Sequence, residues 1–198
     1  MLPMSDLAFL DFDALVARAV TDPGAEAEAH RRFGTSAAIL VVDFTGMVRR
    51  TDARGIVYAL GRARQAAAAL ALAGTRVKRV ADTLFAVYDS PERALLDALN
   101  GHARLRAAIP PEGEDSIQAC IGVGYGPMLL IAGEDVFGPE VNRAFVLGED
   151  VARGGETLIT SAFLEAVGDL PSGVGAFRGP GDREKESGFP FFVVGDYR

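Results

Sequence analysis

Two carboxylates in this chain stand where they could hold a cation. Asp43 ends an apolar run over residues 38–42 and is followed at once by Phe44, Thr45, Gly46 and Met47. A carboxylate at the end of a buried strand, before a Gly-containing turn, is poorly placed for packing. It is well placed to bind a cation where the chain leaves a sheet. Asp82 lies between two short apolar segments, residues 77–80 and 83–87, which would pair as a hairpin around it. Adjacent strands would bring both aspartates within reach of one cation or two. An oxygen-only pair beside such a turn suits Mg²⁺ bridging nucleotide phosphates. Asp is also common at strand ends and in turns for turn reasons alone, so the pair by itself does not separate the two readings.

Composition narrows the chemistry. Cys120 is the only cysteine, which excludes an intrachain disulfide and a Cys-rich zinc site. The two histidines, His30 and His102, are far apart in polar surroundings, so any metal is expected to be bound by oxygen, as Mg²⁺, Mn²⁺ or Ca²⁺. A net charge of −7 argues against general affinity for nucleic acid or an anionic membrane, while a local Lys/Arg cluster leaves nucleotide binding open. With 198 residues, 49% hydrophobic and 24% charged, one soluble domain with a real core is expected. The start, MLPMSDLAFLDFDAL, carries acids where a secretory signal carries bases, and the Ala-rich residues 66–73 are too short to span a bilayer. A cytoplasmic protein without a recognisable sensor domain is the expectation.

The elements that must position these residues follow from pattern. Residues 5–20 read as an amphipathic helix with Ser5 as cap and Leu7, Leu10, Phe12, Leu15, Val16 and Ala19 as its apolar residues. Residues 25–33 read as a charged helix or linker. Residues 37–43 have no polar alternation and read as a strand buried on both faces. Residues 51–73 form a long helical stretch closed by Gly74. Ser90 caps a helix over residues 91–107, with Pro91 in its first turn, and Pro110, Pro111 and Gly113 make a loop. Residues 117–123 read as a strand, followed by a Gly-rich turn over 124–128 and an extended 129–131. Residues 141–151 read as a helix stopped by Gly154 and Gly155, then 157–160 as a strand and 161–167 as a short helix. The run GPGDREKESG reads as a loop and 189–194 as a last strand. The sum is an α+β, ferredoxin-like core, with helices on one face of a mainly antiparallel sheet. Residues 1–35 form a helical N-terminal extension and 36–198 the domain.

Five segments, in order, resemble the class III adenylate and guanylate cyclase catalytic domain. VVDFTGM is similar to that family's first metal segment, and VKRVADTLFAVY to its second, with Lys four residues before the Asp. IGVGYGPM resembles its Ile-Gly-x-x-x-Gly strand and turn. DVFGPEVNRAFVL resembles the Asp-x-x-Gly-x-x-Val-Asn-x-Ala segment that enters the active-site helix, and ETLITSAFLEAV the strand and helix that follow.

The resemblance implies a role for each matching position. Asp43 and Asp82 are the metal-binding aspartates, for two Mg²⁺ or Mn²⁺ ions. Residues Phe44, Thr45, Gly46 and Met47 form the turn whose backbone approaches the triphosphate. Lys78 and Asp135 read the purine edge, and Lys with Asp goes with adenine: Lys donates to a ring nitrogen and Asp accepts from the exocyclic amine. Asn142 orients the ribose and steadies the transition state. The implied reaction is two-metal phosphoryl transfer from ATP to cyclic AMP and pyrophosphate, the 3′-hydroxyl attacking the α-phosphate. In the family the site lies between two catalytic domains, so a homodimer follows.

Two positions depart from the pattern. Val146 stands where the family has the Arg of Asn-x-Ala-x-Arg, and loss of such a group costs on the order of a hundredfold in rate. Arg143 does not substitute, because three helical residues rotate it about 300° away; Lys185 or Arg183 is the candidate replacement cation. Ala81 stands where a Gly usually precedes the second Asp. The departure at Val146 supports an alternative, a catalytically degenerate domain that binds nucleotide or signals by dimerisation; a cyclase for another nucleoside triphosphate is a third reading. Bland readings stand beside the sharp ones. Lys78 would be a solvated edge lysine, Asp135 a turn residue and Asn142 a helix cap. Tyr125 packs on the dimer seam or on a base, Cys120 is buried packing, and His102 and the acids of the first helix are solvated.

Overall fold

The computed structural model describes residues 4–110, 113, 116–131 and 133–196, and the side chains among these except residues 4–10, 76, 77 and 196. Ser5, Leu7 and Leu10 as cap and apolar residues, and Pro111, thus lie outside what is described. Two helices, α1 (Met4–Ala19) and α2 (Pro23–Phe33), lead directly into β1 (Gly34–Phe44). Then come α3 (Met47–Arg54), α4 (Ile56–Leu70), β2 (Thr75–Val80), β3 (Thr83–Tyr88) and α5 (Pro91–Ala108). The second half holds β4 (Ala119–Ile131), β5 (Asp135–Phe137), α6 (Pro139–Val146), β6 (Thr157–Thr160), α7 (Ser161–Val167), β7 (Val174–Arg178), α8 (Gly181–Ser187) and β8 (Phe191–Asp196). Among the described residues these strands form one sheet in the order β2-β3-β1-β4-β6-β8-β7, with β5 paired to β4. All pairings are antiparallel except β4 with β6. This is the expected α+β architecture.

β1 shows why its sequence carries no alternation. Ala38, Leu40, Val42 and Phe44 face a large core with α4, α5 and α7 residues such as Ala66, Leu70, Leu95 and Phe163. Ala37, Ile39 and Val41 face the opposite side, with Val141 and Ala144 of α6. Helices therefore cover both faces, against the expectation of one helical face: α6 lies on the second face at β1, and α8 packs on the same side over Phe191. The Gly-rich run of β4 explains how α6 gets there. A Cβ on Gly122 would lie 2.0 Å from the Ala144 carbonyl oxygen, and one on Gly124 2.6 Å from the Glu140 carbonyl oxygen. Alternate residues of a strand share a face, so these glycines pave the track on which α6 rests. The expected turn over 124–128 is instead the middle of one 13-residue strand.

α6 passes at Val146 into one π turn, Leu147–Val151, in which the Ala152 N–H donates to the Leu147 carbonyl at 2.8 Å. The long helix expected over 51–73 is divided at Gly55, whose φ of 87° no helix accommodates. It ends at Ala71 in the left-handed region, not at Gly74. Gly74 instead lies against the Tyr88 ring. β5, β7 and α8 have no counterpart in the sequence reading.

Candidate functional site

The two aspartates meet. β1 delivers Asp43 to the end of the sheet, and the tight β2–β3 connection holds Asp82 beside it, with Val80 opposite Thr83. Asp43 is half-buried. Burial pushes its carboxyl up to about 7, and the nearby charges of Glu149 and Asp82 push the same way, against the Phe44 N–H that favours the ionised form. Ala81 takes a φ of 52° in this connection. That left-handed backbone explains why a Gly suits the position better. Sequence reasoning missed Glu149. The π turn presents it, the buried Thr83 hydroxyl donates to it, and burial followed by the charge of Asp82 raises its pKa. The Thr83–Glu149 contact spans 66 residues, so no local pattern could have found it.

The turn after β1 is built from two sides. Thr45 N–H donates to the Gln118 carbonyl at 3.0 Å, and its hydroxyl accepts from Gln118 N–H at 3.1 Å. The buried Arg50 guanidinium donates to the Thr45 carbonyl at 2.6 Å from beneath Gly46. Phe44 itself is core, Gly46 takes φ 81°, and α3 starts at Met47 with no side-chain cap. The first N–H groups of α3 therefore keep their donors.

Lys78 and Asp135, far apart in sequence, pair at 2.6 Å. Asp135 also accepts from the Val136 N–H at 2.7 Å, and the Lys78 ammonium lies 4.9 Å from the Phe85 ring centroid. Asn142 lies within α6 behind Gly138 and Pro139, so it does not cap the helix. A groove of about 550 Å³ brings Lys78 and Asn142 together, with Asp135 joined to it through Lys78. Lys78, Asp82, Phe137, Asn142, Phe145 and Glu149 are among its lining residues. Phe145 stacks on Phe85 there, with centroids 6.1 Å apart.

The other candidates stand elsewhere. Arg143 pairs with Glu140 at 2.5 Å and lies 5.9 Å from the Phe189 ring, turned from the groove. Val146 packs against the cluster of Leu147, Val151, Leu158 and Phe191. Arg183 is buried on Glu156 at 2.5 Å and on the Val151 carbonyl, so it is committed to structure. Lys185 is exposed on α8 and does not line the groove. Tyr125 packs against the large core, opposite Ala38. Cys120 is buried as expected, its thiol pushed up to about 12 by burial. His102 is not solvated. It is buried, 3.0 Å from the Thr157 hydroxyl, and burial followed by the charge of Arg106 lowers its pKa to about 4.

Among the described residues no three or more His, Cys, Asp and Glu side chains converge on one metal position, and no helix is long and apolar enough to cross a membrane.

No protein-family model and no curated protein matches the chain. Solved structures do. An adenylate/guanylate cyclase/hydrolase from Silicibacter pomeroyi is 24% identical over 81% of this chain and 95% of its own, with a TM-score of 0.63. The adenylyl cyclase CyaB from P. aeruginosa is 17% identical over 83% of this chain and 97% of its own, TM-score 0.57. The guanylyl cyclase domain of the RhoGC fusion protein from the aquatic fungus Blastocladiella emersonii is 17% identical over 84% and 99%, TM-score 0.61. With the paired aspartates, the β2–β3 hairpin and α6 across β4 already in view, these likenesses establish that the chain has the fold of class III adenylate and guanylate cyclase catalytic domains.

Proposed function

We propose that the protein is a nucleotide cyclase converting ATP to cyclic AMP and pyrophosphate, at sites shared between two copies of the chain. The observation that carries this reading is that each chain presents both sets of groups along one groove, Lys78 with its partner Asp135 and Asn142 as one set, and Asp82 with Asp43 behind it as the other, so that each set can be completed by the opposite set of a second copy.

Each residue has a task that its surroundings support. Lys78 and Asp135 now satisfy one another. A purine edge with a ring acceptor beside an exocyclic amine replaces that contact with one donor and one acceptor bond. Asn142 lines the same groove from α6 and can hold the ribose. The uncapped first turn of α3, fixed by Arg50 and Gln118, offers N–H donors and the positive end of a helix to the triphosphate. Asp43 and Asp82 would hold the divalent ions, Mg²⁺ or Mn²⁺. Burial, joined by the charges of Glu149 and Asp82, raises Asp43, so a bound cation would favour its ionised form. When bound, such ions make the 3′-hydroxyl a better nucleophile and offset charge on the phosphates. Glu149 and Thr83 hold the shoulder of the site beside Asp82. The apolar side chains Val80, Phe137 and Phe145 stand exposed along the groove rim, which suits cover by a second copy. Lys185 has a place in this scheme only if that second copy delivers it.

Val146 favours a second reading, a domain that binds nucleotide without turning it over. Its side chain belongs to an apolar cluster, and Arg143 and Arg183 are both engaged elsewhere. One experiment separates the readings. Purified protein with Mn²⁺ is given each of the four nucleoside triphosphates and products are read by mass. Cyclic AMP and pyrophosphate from ATP, absent in Asp43→Ala, are expected. Saturable binding without product establishes the second reading, and a different cyclic product reassigns the base.

A further inference from the structure

We propose that Phe12, on the N-terminal helix α1, is a positioning residue for the base-reading pair. Its ring stacks on Phe137 and thereby fixes β5, the strand that begins at Asp135. The proposal rests on the reading of Lys78 and Asp135 as the groups that select the base.

β5 is short for a strand that must place a functional carboxylate. It has three residues, paired as Leu129 with Phe137, Leu130 with Val136 and Ile131 with Asp135. Strands usually run five or six residues, and an isolated short hairpin is marginal in water. Asp135 and Phe137 share one face of β5 by alternation, while Val136 is buried on the other. The face that carries the carboxylate is therefore held chiefly through Phe137, which is 39% exposed.

The N-terminal helices cover that face. The Phe12 ring stacks on Phe137 with centroids 5.3 Å apart and planes 15° apart, and meets Phe33 of α2 edge-on at 5.4 Å. Phe12 is 5% exposed, so it is committed to this contact. Asp11 pairs with Arg32 at 2.7 Å and ties α1 to α2. Leu129 packs on the cluster formed by Leu15, Ala25 and Ala29. Both members of the Leu129–Phe137 register pair are thus gripped by the extension. Gly34, where α2 becomes β1, is the other register partner of Leu129. One row across β1, β4 and β5 lies under the two helices, and Asp135 stands two residues along from it.

The consequence is specific to base selection. Asp43, Asp82 and the turn at 44–47 lie at the other end of β1 from Gly34 and do not depend on this row. Loosening Phe12 should free Asp135 from its place beside Lys78 and leave the metal end intact. A misplacement near 1 Å in a positioning group costs up to about a hundredfold; loss of one ring contact, with apolar cover retained, should cost less.

The test uses the full chain with Phe12→Leu and Phe137→Leu, singly and together, alongside the parent protein. ATP and GTP kinetics are measured with Mn²⁺, and amide hydrogen exchange of residues 135–137 is followed on the same samples. Phe12→Leu is expected to raise KM for ATP about tenfold, with kcat within about twofold, and to narrow the ATP-over-GTP preference by a similar factor. The double variant should match the worse single variant, as residues in contact do not act additively. Exchange at 136 and 137 should quicken while β1 stays protected. Unchanged selectivity in an active protein overturns the proposal alone, as does unchanged exchange at β5. A parallel fall in kcat and melting temperature with selectivity preserved reduces Phe12 to packing and also overturns it. A parent protein that neither binds nor turns over any nucleotide overturns the reading of the site, and this proposal with it.

Discussion

Replacing Gly122 with alanine tests whether the track of glycines on β4 is what seats α6. The new Cβ would lie 2.0 Å from the Ala144 carbonyl oxygen and 2.5 Å from the Gly148 nitrogen. Ordinary contact begins at 3.4 Å, so the helix must retreat by about 1 Å or more, since both neighbours are backbone and no rotamer change relieves them. Overpacking of this kind costs about 1–3 kcal/mol, and a backbone clash on two atoms belongs at the upper end. For a chain of this size each kcal/mol lowers Tm by about 2–4 °C, so a loss near 6–12 °C is expected. α6 carries Asn142 and the following π turn carries Glu149. A shift of that size should also lower turnover about a hundredfold at a temperature where the variant is folded. The control is Gly195→Ala in β8, where a Cβ meets no atom within 4 Å; its melting should match the parent. Calorimetry and a pyrophosphate-release assay read both effects. A Gly122→Ala protein that melts and turns over like the parent would refute the seating.

Three further outcomes follow from single residues. Ala81→Gly should raise the urea midpoint, because relief of a left-handed alanine, about 1–2 kcal/mol, exceeds the entropy that glycine loses, about 0.5–1 kcal/mol; a lower midpoint contradicts this. His102 has a folded pKa of about 4 against an unfolded value near 6.5. A depressed pKa gives stability that is full above pH 6.5 and is lost as pH falls toward 4. Denaturant unfolding should therefore show the parent losing about 3 kcal/mol more than His102→Gln between pH 7 and pH 4. Val146→Arg should raise kcat on the order of a hundredfold with KM little changed, if charge at the transferring phosphate is what the position lacks; no gain in kcat favours the non-turnover reading.

What could be read from the sequence was what short-range pattern controls. The unalternating run of β1, the hairpin about Asp82, the Ser90–Pro91 start of α5 and the β6–α7 step all announce themselves through neighbours. So did the chemical candidates, because type and order carry them. What could not be read depends on distant partners. α8 is a charged run without apolar period, held by buried Arg183 and Ser187, and it reads as loop. β7 is broken up by glycine. His102 stands among arginines along the chain, yet its helix face turns it onto Thr157. Glu149 becomes part of the site only because one π turn redirects it toward Thr83. The glycines at 124 and 126 look like a turn, and Gly122 like the end of a strand, until α6 is laid across all three.

In the proposed cyclase, one site takes its aspartates from one copy of the chain and its base-reading and ribose groups from another. Mixing Asp43→Ala protein with Asn142→Ala protein measures this directly. Each variant alone should be inactive, whereas subunit exchange should restore one intact site in each mixed dimer, about a quarter of parent turnover in an equal mixture. If the parent protein is active and the mixture recovers nothing despite proven exchange, the site lies within a single chain and the claim is wrong.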